Sequence, residues 1–262
     1  MKLCIIGGDR RLLYLCELLK KASHTVYYAG AREPIASPLL ERALAECDAV
    51  ILPTPASRDG VYITGSQLKT ELLLSMLPEK TAVFGGRLSP RFENGVRPLC
   101  DYLSDEPFTL RNALLTAEGV LRMVYEETET AISDLSFLIY GYGRISTFLT
   151  RRLLALGASV TVVARKDAAR KEARAQGASA IGFSDKPPEA DYAVNTVPQP
   201  FVFSSLPPVK TLIDLAVLPK EAFPSGDANI LSAPALPGKY FPRSAAKILF
   251  DTTVQKGKEL FL

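Results

Sequence analysis

The sequence predicts an α/β protein made of two Rossmann-like domains with parallel sheets and a cleft between them. A chain of 262 residues is long for one domain and comfortable for two. Short apolar strands alternate with helical patterns along most of its length, which is typical of parallel sheets. Two of these strands run directly into glycine-containing turns that open helices, as nucleotide-binding folds do.

Residues 1–110 are predicted to form the first domain, a small parallel α/β unit that binds the substrate. Its first strand, 3–6, enters the turn Gly7-Gly8-Asp9, which lacks the second, separated glycine of a dinucleotide site. This turn is therefore not expected to bind a nucleotide. Further strands are predicted at 26–29, 48–52 and 81–84, and helices at 12–21, 38–47 and 65–77.

Residues 111–240 are predicted to form the second, nucleotide-binding domain. The boundary falls near 107–112, before an interdomain helix over 117–130, and the C-terminal helix within 241–262 is expected to join the first domain. The strands of the second domain are predicted at 137–140, 159–164, 192–194 and 212–215, with a helix over 147–156 that Gly157 ends.

The most informative pattern is the glycine turn that follows the apolar run 137–140. The first glycine allows a tight reversal, and the second lets backbone N–H groups approach a pyrophosphate at the positive end of a helix. A serine stands where a third glycine is usual, and it is small enough for close packing of helix and strand. The residues predicted to bind the cofactor here are Gly141, Gly143, Arg144 and Ile145.

Basic residues follow the second strand of this domain, where NAD-binding proteins place an acidic side chain on the ribose. Arg165 and Lys166 stand at this position, with Arg170 soon after. Cations suit the 2′-phosphate of NADP better than the hydroxyl of NAD. The sequence therefore favours NADP as the cofactor, against the alternative of a solvated basic edge in an unrelated doubly wound sheet.

Two further segments are candidates for contact with the cofactor. Asn195, Thr196 and Pro198 follow a predicted strand and, by analogy with the fold, would lie at the nicotinamide ribose. Pro237 would shape the loop opposite them. A loop that merely ends the strand remains the alternative.

Arginines follow several strands of the first domain, at the edge where open α/β sheets bind ligands. Arg10 and Arg11 follow the first strand, Ser57 and Arg58 the third, and Arg87 the fourth. Because guanidinium groups bind carboxylates through two parallel hydrogen bonds, Arg11, Arg58 and Arg87, with Ser57, indicate a substrate with more than one carboxylate. Ordinary solvated loop charges are the competing interpretation.

Three carboxylates are candidate proton acceptors: Asp59, Glu118 and Asp9. Each also has a structural interpretation, because Asp59 could form a turn, Glu118 could complement a helix N-terminus and Asp9 could cap its own helix. The only histidine, His24, precedes a strand and is interpreted as a surface or structural residue.

Composition excludes several other functions. The net charge of +3 is small and the basic residues are scattered, so a nucleic-acid partner is not expected. No apolar run approaches the 18 or so residues of a membrane span, and we expect a cytoplasmic protein. The cysteines lack the spacing of metal ligands, and no metal site is expected.

The motifs together resemble those of the family formed by the A subunits of dipicolinate synthase. They cover nearly the whole chain and are 7-GGD-9 with Arg11, 52-LP-53 with 57-SRDG-60, Asn112 with 116-TAEG-119, 141-GYGR-144, 195-NTVP-198 and 235-ALPG-238. The resemblance implies a layout similar to that of two-domain hydroxyacid and alanine dehydrogenases. It also implies oxidation of a dihydrodipicolinate to pyridine-2,6-dicarboxylate with NADP, in the mother cell of a spore-forming bacterium and beside the B subunit of dipicolinate synthase.

Two other functions stay open from the residues alone. One is another two-domain NADP-dependent dehydrogenase, of the shikimate or amino-acid type. The other is a noncatalytic NADP-binding scaffold, although a scaffold has no need for an arginine set that binds a dianion. A homo-oligomer is compatible with either.

Overall fold

The computed structural model describes residues 1–30, 38–93, 96–199, 207–223 and 226–261. Its internal contacts divide the chain into two compact units. Unit 1 comprises residues 1–112 and 238–262, and unit 2 comprises residues 113–237. The chain therefore leaves unit 1 once and returns to it for its last helix.

Unit 1 is built on a five-stranded parallel sheet in the order β2-β1-β3-β4-β5. This is a doubly wound order in which ligands bind at the carboxyl ends of the strands. The inner strands are apolar and buried on both faces, as a parallel sheet covered by helices requires. The elements are β1 (Lys2–Ile6), α1 (Arg10–Lys21), β2 (Thr25–Ala29), α2 (Pro38–Glu46), β3 (Ala49–Ile51), α3 (Thr70–Met76), β4 (Ala82–Gly85) and β5 (Leu99–Asp101).

Two long helices complete this part of the chain. α4 (Glu106–Glu127) contains the point at which the contacts change from unit 1 to unit 2, and α8 (Pro242–Phe261) packs against α1. The buried hydroxyl of Tyr102, which follows β5, lies 2.7 Å from that of Thr253 on α8. This hydrogen bond fastens the last helix to the edge of the sheet. Among the helices that the structure describes, none has the length and hydropathy needed to cross a membrane.

Unit 2 has a six-stranded parallel sheet in the order β11-β10-β9-β6-β7-β8. When the strands are numbered from the first strand of the unit, β6, this is the strand order of the Rossmann fold. The direction of the strand order reverses between β6 and β9. Dinucleotides bind at this point because the loops after the two strands diverge there. The elements are β6 (Ser136–Tyr140), α5 (Arg144–Ala155), β7 (Ser159–Val163), α6 (Asp167–Ala175), β8 (Ser179–Ile181), β9 (Ala190–Asn195), β10 (Val209–Asp214), β11 (Asn229–Ser232) and α7 (Leu236–Tyr240).

The two predicted parallel-sheet α/β domains are confirmed, but three predicted elements were wrong in extent. The helix expected over 65–77 is shorter and corresponds to α3, because a hydrogen bond between Ile63 and Leu68 forms a compact turn before it. The helix expected over 117–130 begins at Glu106, so the predicted boundary at 107–112 lies inside α4. α5 begins at Arg144 rather than at 147. Prediction missed β5, β8, β11 and α6.

The four cysteines are free and buried. Burial raises the pKa of the Cys47 thiol to about 12 and that of Cys100 to about 11. Thiols with such pKa values remain protonated at neutral pH and are poor nucleophiles. They serve as small apolar core residues.

Candidate functional site

The turn after β6 depends on a close approach between two loops of unit 2. Gly141 has φ +91°, a conformation that L side chains rarely adopt. A Cβ atom at this position would lie 2.5 Å from Oγ1 of Thr196, which follows β9. The first glycine of the motif is therefore required both by the backbone conformation and by the neighbouring loop.

The hydroxyl groups below this turn form a chain of hydrogen bonds. Thr196 Oγ1 donates to the Tyr140 carbonyl oxygen at 2.8 Å, so the Ser146 hydroxyl, 3.0 Å from Thr196 Oγ1, acts as donor to it. Ser146 is fully buried. The serine that replaces the usual third glycine thus joins α5 to the loop after β9. Thr196, which was predicted to contact a cofactor, contacts the glycine turn.

The second glycine of the motif faces open space. Gly143 is the N-cap residue of α5, and a Cβ atom there would meet no heavy atom within 4 Å. The cap has no side-chain hydrogen bond to the first turn of the helix. A 12-residue helix with uncapped N–H groups and unobstructed space before them can bind a pyrophosphate.

The structure gives Asn195 a different role from the predicted contact with the nicotinamide ribose. Its side chain is fully buried, its Nδ2 donates to Asp214 Oδ1 at 2.9 Å, and its Oδ1 accepts from the Val197 N–H at 3.0 Å. Asp214, at the end of β10, also accepts from the N–H groups of Ala216 and Leu218. This buried pair shapes the two loops after β9 and β10, and Asn195 acts by positioning them.

A cavity of about 370 Å³ lies beside the glycine turn. Arg165 and Lys166 line it together with Gly141 and Phe183. Arg170 does not share this role, because its Nη1 donates to the carbonyl oxygens of Ala164 and Arg165, each at 2.8 Å. The two predicted cations thus lie next to the turn, while the third supports the loop that carries them.

The other predicted cofactor residues are more dispersed. Arg144 and Ile145 open α5 directly after the turn, and the ring of Pro198 is exposed in the loop after β9. Pro237 was expected in a loop, but it is buried within the short helix α7. A direct contact of Pro237 with a cofactor therefore has no support in its surroundings.

In unit 1, a cavity of about 390 Å³ lies at the carboxyl edge of the sheet. Segment 64–66 approaches the turn after β1 closely, since the Gly8 N–H donates to the Thr64 carbonyl oxygen at 2.7 Å. A Cβ atom on Gly65 would overlap the Gly8 backbone. The polar residues lining the cavity include Asp9, Arg11, Arg58, Asp59, Tyr62 and Thr64.

Asp9 and Arg11 form an ion pair in the wall of this cavity. Arg11 Nε and Nη2 each lie 2.9 Å from a different Asp9 oxygen, and Nη2 also donates to the Thr54 carbonyl oxygen. Asp9 caps α1 by accepting from the Arg11 N–H. Burial alone would raise the pKa of the Asp9 carboxyl, but the hydrogen bonds and charge of Arg11, with the charge of Arg58, hold the pKa below its usual value.

These contacts make Asp9 a poor proton acceptor. Its carboxylate is already bound at both oxygens and its lowered pKa disfavours protonation. The structural interpretation, helix capping, describes Asp9 better than the predicted catalytic role. Asp9 positions Arg11, whose side chain is only 12% exposed.

Ser57, Arg58 and Asp59 occupy the loop after β3. Asp59 Oδ1 accepts from the Val61 and Tyr62 N–H groups and from the Ser57 hydroxyl, and Ser57 Oγ accepts from the Gly60 N–H. The N–H groups of Tyr62 and Val61 lower the pKa of the exposed Asp59 carboxyl. Ser57 thus serves the turn, and Arg58 and Asp59 extend from it into the cavity lining.

Two predicted residues lie elsewhere. Arg87 has the left-handed φ of +53° and its N–H donates to Asp101, but its side chain is not part of the cavity lining. Glu118 belongs to unit 2 and accepts from Arg152 Nη2 at 3.0 Å. It lies in the middle of α4, so its expected position at a helix N-terminus was wrong.

Prediction from sequence missed Tyr62 in unit 1 and Asp214 and Phe183 in unit 2. Asp214 carried a signal, because a carboxylate directly after an apolar strand and before a loop commonly accepts loop N–H groups. Tyr62 and Phe183 carried none, since isolated aromatic residues in polar loops have no distinctive spacing.

The fold and the glycine turn define an architectural class: proteins built from two Rossmann-type α/β units. A D-isomer-specific 2-hydroxyacid dehydrogenase from Lactobacillus delbrueckii ssp. bulgaricus, solved with NAD, matches with a TM-score of 0.55 and 13% identity over 98% of each chain. At this identity the likeness shows the fold alone.

The A subunits of dipicolinate synthase are more similar to this chain. Residues 2–100 match the N-terminal domain of the dipicolinate synthase A subunit. The A subunit of dipicolinate synthase from Bacillus subtilis (strain 168) is 27% identical over 95% of this chain and 93% of its own. The crystal structure of the dipicolinate synthase A chain from Bacillus subtilis matches with a TM-score of 0.78 and 24% identity, over 99% of this chain and 96% of that one. These similarities confirm the resemblance found in the motifs: the N-terminal part of the chain matches the family's domain, and nearly the whole chain is similar to the Bacillus subtilis A subunit.

The two glycines of the turn should respond differently to alanine. Gly141→Ala combines a strained φ with a clash against Thr196 and should lower the free energy of unfolding by about 1–3 kcal/mol. Gly143→Ala should leave stability within about 0.5 kcal/mol but weaken dinucleotide binding about tenfold or more. Chemical denaturation and calorimetry measure the two effects, and equal stability losses in both variants would contradict this account.

The charge of Asp9 should contribute to stability in a pH-dependent way. The pKa of Asp9 is lower in the folded protein than in the unfolded chain. The stabilising contribution is therefore fully present above the pKa of the unfolded chain, roughly 4, and it is lost as the pH falls through the pKa of the folded protein. Asp9→Asn keeps a good helix cap but removes the charge. The stability difference between parent and variant should therefore shrink on acidification, and a difference independent of pH would show that the ion pair contributes nothing.

Proposed function

We propose that this protein is an NADP-dependent oxidoreductase that oxidises a dihydrodipicolinate to dipicolinate, pyridine-2,6-dicarboxylate. The observation that carries the proposal is the cavity of about 390 Å³ at the carboxyl edge of unit 1, lined by Arg11 and Arg58. The names of the family and of its Bacillus subtilis member supply the substrate class. A size of a few hundred Å³ is typical of small-molecule sites.

The arrangement of charge suits a dicarboxylate. Arg11 is nearly buried and held rigidly by Asp9 and Thr54, so it offers a fixed cation. Arg58 lies close enough to Asp9 to influence its pKa, yet it belongs to an exposed loop and can adapt to a ligand. One fixed and one adaptable guanidinium would bind the two carboxylates of the substrate.

The residues of unit 2 fit NADP. The open space at Gly143 and the N–H groups of α5 would hold the pyrophosphate, with Arg144 and Ile145 at the same helix end. Arg165 and Lys166, which line the adjacent cavity, would hold the 2′-phosphate. NADP bound in this way would supply the hydride acceptor.

The reaction removes two hydrogens from the ring, one as hydride and one as a proton. Asp59 is the proposed proton acceptor. Its pKa is lowered, as that of Asp9 is, but its carboxylate lines the cavity and, within the described residues, one of its oxygens forms no hydrogen bond. A weak base suffices because the product ring is aromatic, which makes proton loss favourable. Glu118 and Asp9, which are ion-paired, are not given this role.

The biological setting follows from the family name. We propose a role in sporulation, in the cytoplasm of the mother cell, together with the B subunit of dipicolinate synthase. The subunit designation of the Bacillus subtilis relative supports such a partner. A noncatalytic scaffold role is less well supported, since it does not account for an arginine-lined cavity in unit 1. A dehydrogenase of the shikimate or amino-acid type is the second candidate, because its substrate also carries a carboxylate.

Cofactor choice should depend on the cations after β7. NADP should bind more tightly than NAD, and Arg165→Glu should reverse the order, because a contact with phosphate is exchanged for repulsion, an effect of about tenfold or more. Lys171→Gln is a matched control, since Lys171 is an exposed cation of α6 that pairs with Asp167 and does not line the cavity. Calorimetry showing equal affinities for the two cofactors in the parent protein would refute NADP preference.

The dicarboxylate site should depend on Arg58. Arg58→Ala should weaken dipicolinate binding about tenfold or more, as expected for a lost charged hydrogen bond, with NADP affinity unchanged. Arg87→Ala tests the predicted third arginine, and because Arg87 is not in the cavity lining we expect a smaller loss. Arg91→Ala, which removes an exposed arginine paired with Glu71, is the control. Parent-like binding by Arg58→Ala would place the site elsewhere.

The catalytic proposal is tested by coupled turnover. The lysine-pathway synthase that forms the labile substrate is mixed with NADP and this protein, with and without the B-type partner. Reduced nicotinamide and pyridine dicarboxylate should appear in equal amounts, and Asp59→Asn should slow both. If cofactor binds but neither product forms in either mixture, the scaffold function is favoured over the dehydrogenase.

A further inference from the structure

Arg10 belongs to the arginine set of the first domain, but it does not line the proposed substrate site. It is the first residue of α1, and its Nη2 donates to the hydroxyl of Tyr14, one turn further along, at 3.0 Å. Its guanidinium carbon lies 5.8 Å from the centre of the Tyr14 ring. Successive side chains on a helix point about 100° apart, so Arg10 and Arg11 lie on different faces of α1.

A second guanidinium reaches the same ring from another helix. Arg243, in the first turn of α8, places its guanidinium carbon 4.6 Å from the centre of the Tyr14 ring. Each contact is a favourable cation–π interaction, but together they bring two positive charges to one side chain. The packing of α1 against α8 holds them there.

No carboxylate compensates for this charge within the part of the chain that the structure describes. Neither Arg10 nor Arg243 forms an ion pair there, and the first turns of α1 and α8 contain no acidic residue. Four other arginines of unit 1 do have carboxylate partners: Arg11, Arg42, Arg91 and Arg111. The hydrogen bond from Arg10, with the charges of Arg10 and Arg243, lowers the pKa of the Tyr14 hydroxyl.

We propose that Arg10, Tyr14 and Arg243 form a binding site for a phosphate-type dianion, separate from the dicarboxylate cavity. The two guanidiniums would donate from two helices to different oxygens of one tetrahedral group. The Tyr14 oxygen already accepts from Arg10, so its own proton is directed to a further acceptor. A dianion would balance the two cations, whereas a single carboxylate would leave one uncompensated.

Inorganic phosphate is the probe, titrated at constant ionic strength against sodium chloride. The readout is the Tyr14 ring resonance of tyrosine-labelled protein, assigned with Tyr14→Phe, because this signal reports on the site alone. Phosphate should shift it in a saturable way. Arg10→Gln and Arg243→Gln should each weaken the affinity about five- to tenfold, as for a lost charged hydrogen bond in an exposed site.

Arg42→Gln is the matched control, since it removes the same charge from an exposed helix of the same unit. It should change the affinity less than about twofold. Thermal unfolding verifies that each variant is folded. The proposal is overturned if phosphate acts no differently from chloride, if the Arg10 and Arg243 variants behave like Arg42→Gln, or if they lose dipicolinate or NADP affinity in parallel, since the site would then not be separate.

Discussion

The loops after β6 and β9 approach each other so closely that only particular residues fit between them, and the dinucleotide turn depends on this contact. Thr196 lies against Gly141, donates to Tyr140 and accepts from Ser146, so one hydroxyl connects β6, α5 and the loop after β9. Beneath it, the buried Asn195–Asp214 pair fixes the next loop. Gly143 and the start of α5 are thereby held open toward a ligand, because the polar side chains of these loops, Thr196, Asn195 and Asp214, already have partners in the protein.

The arginines of unit 1 show how neighbouring charges acquire different roles. Arg11 is nearly buried and bound by Asp9, Arg58 extends from an exposed loop, and Arg10 turns away to Tyr14. A buried, paired guanidinium has a fixed direction, whereas an exposed one retains conformational freedom until a ligand orders it. The proposed dicarboxylate site needs both kinds. The proposed phosphate site arises because Arg10 and Arg243 were left without carboxylates among the described residues.

Much of the fold could be predicted because parallel strands buried on both faces are continuous apolar runs with turn residues after them. β3, β4 and β6 are of this type. The edge strands β5, β8 and β11 have only three or four residues, too few for a clear pattern. α6 was missed because it consists mainly of charged residues and alanine. α3 was predicted to begin too early because the hydrogen bond between Ile63 and Leu68, which forms a compact turn before the helix, has no local sequence pattern.

The sequence by itself determined the α/β class, the glycine turn and the cations after β7, because each is a local pattern whose chemistry is contained in a few consecutive residues. Only the tertiary structure decided what the polar side chains do. Ser146 meets Thr196 across 50 residues, and Tyr14 meets Arg243 from the other end of the chain. Asp9 was a candidate proton acceptor and Asn195 a candidate cofactor contact, but Asp9 is bound by Arg11 and Asn195 donates to Asp214. The role of a polar group is set by its partners, and those partners are brought together by folding rather than by spacing.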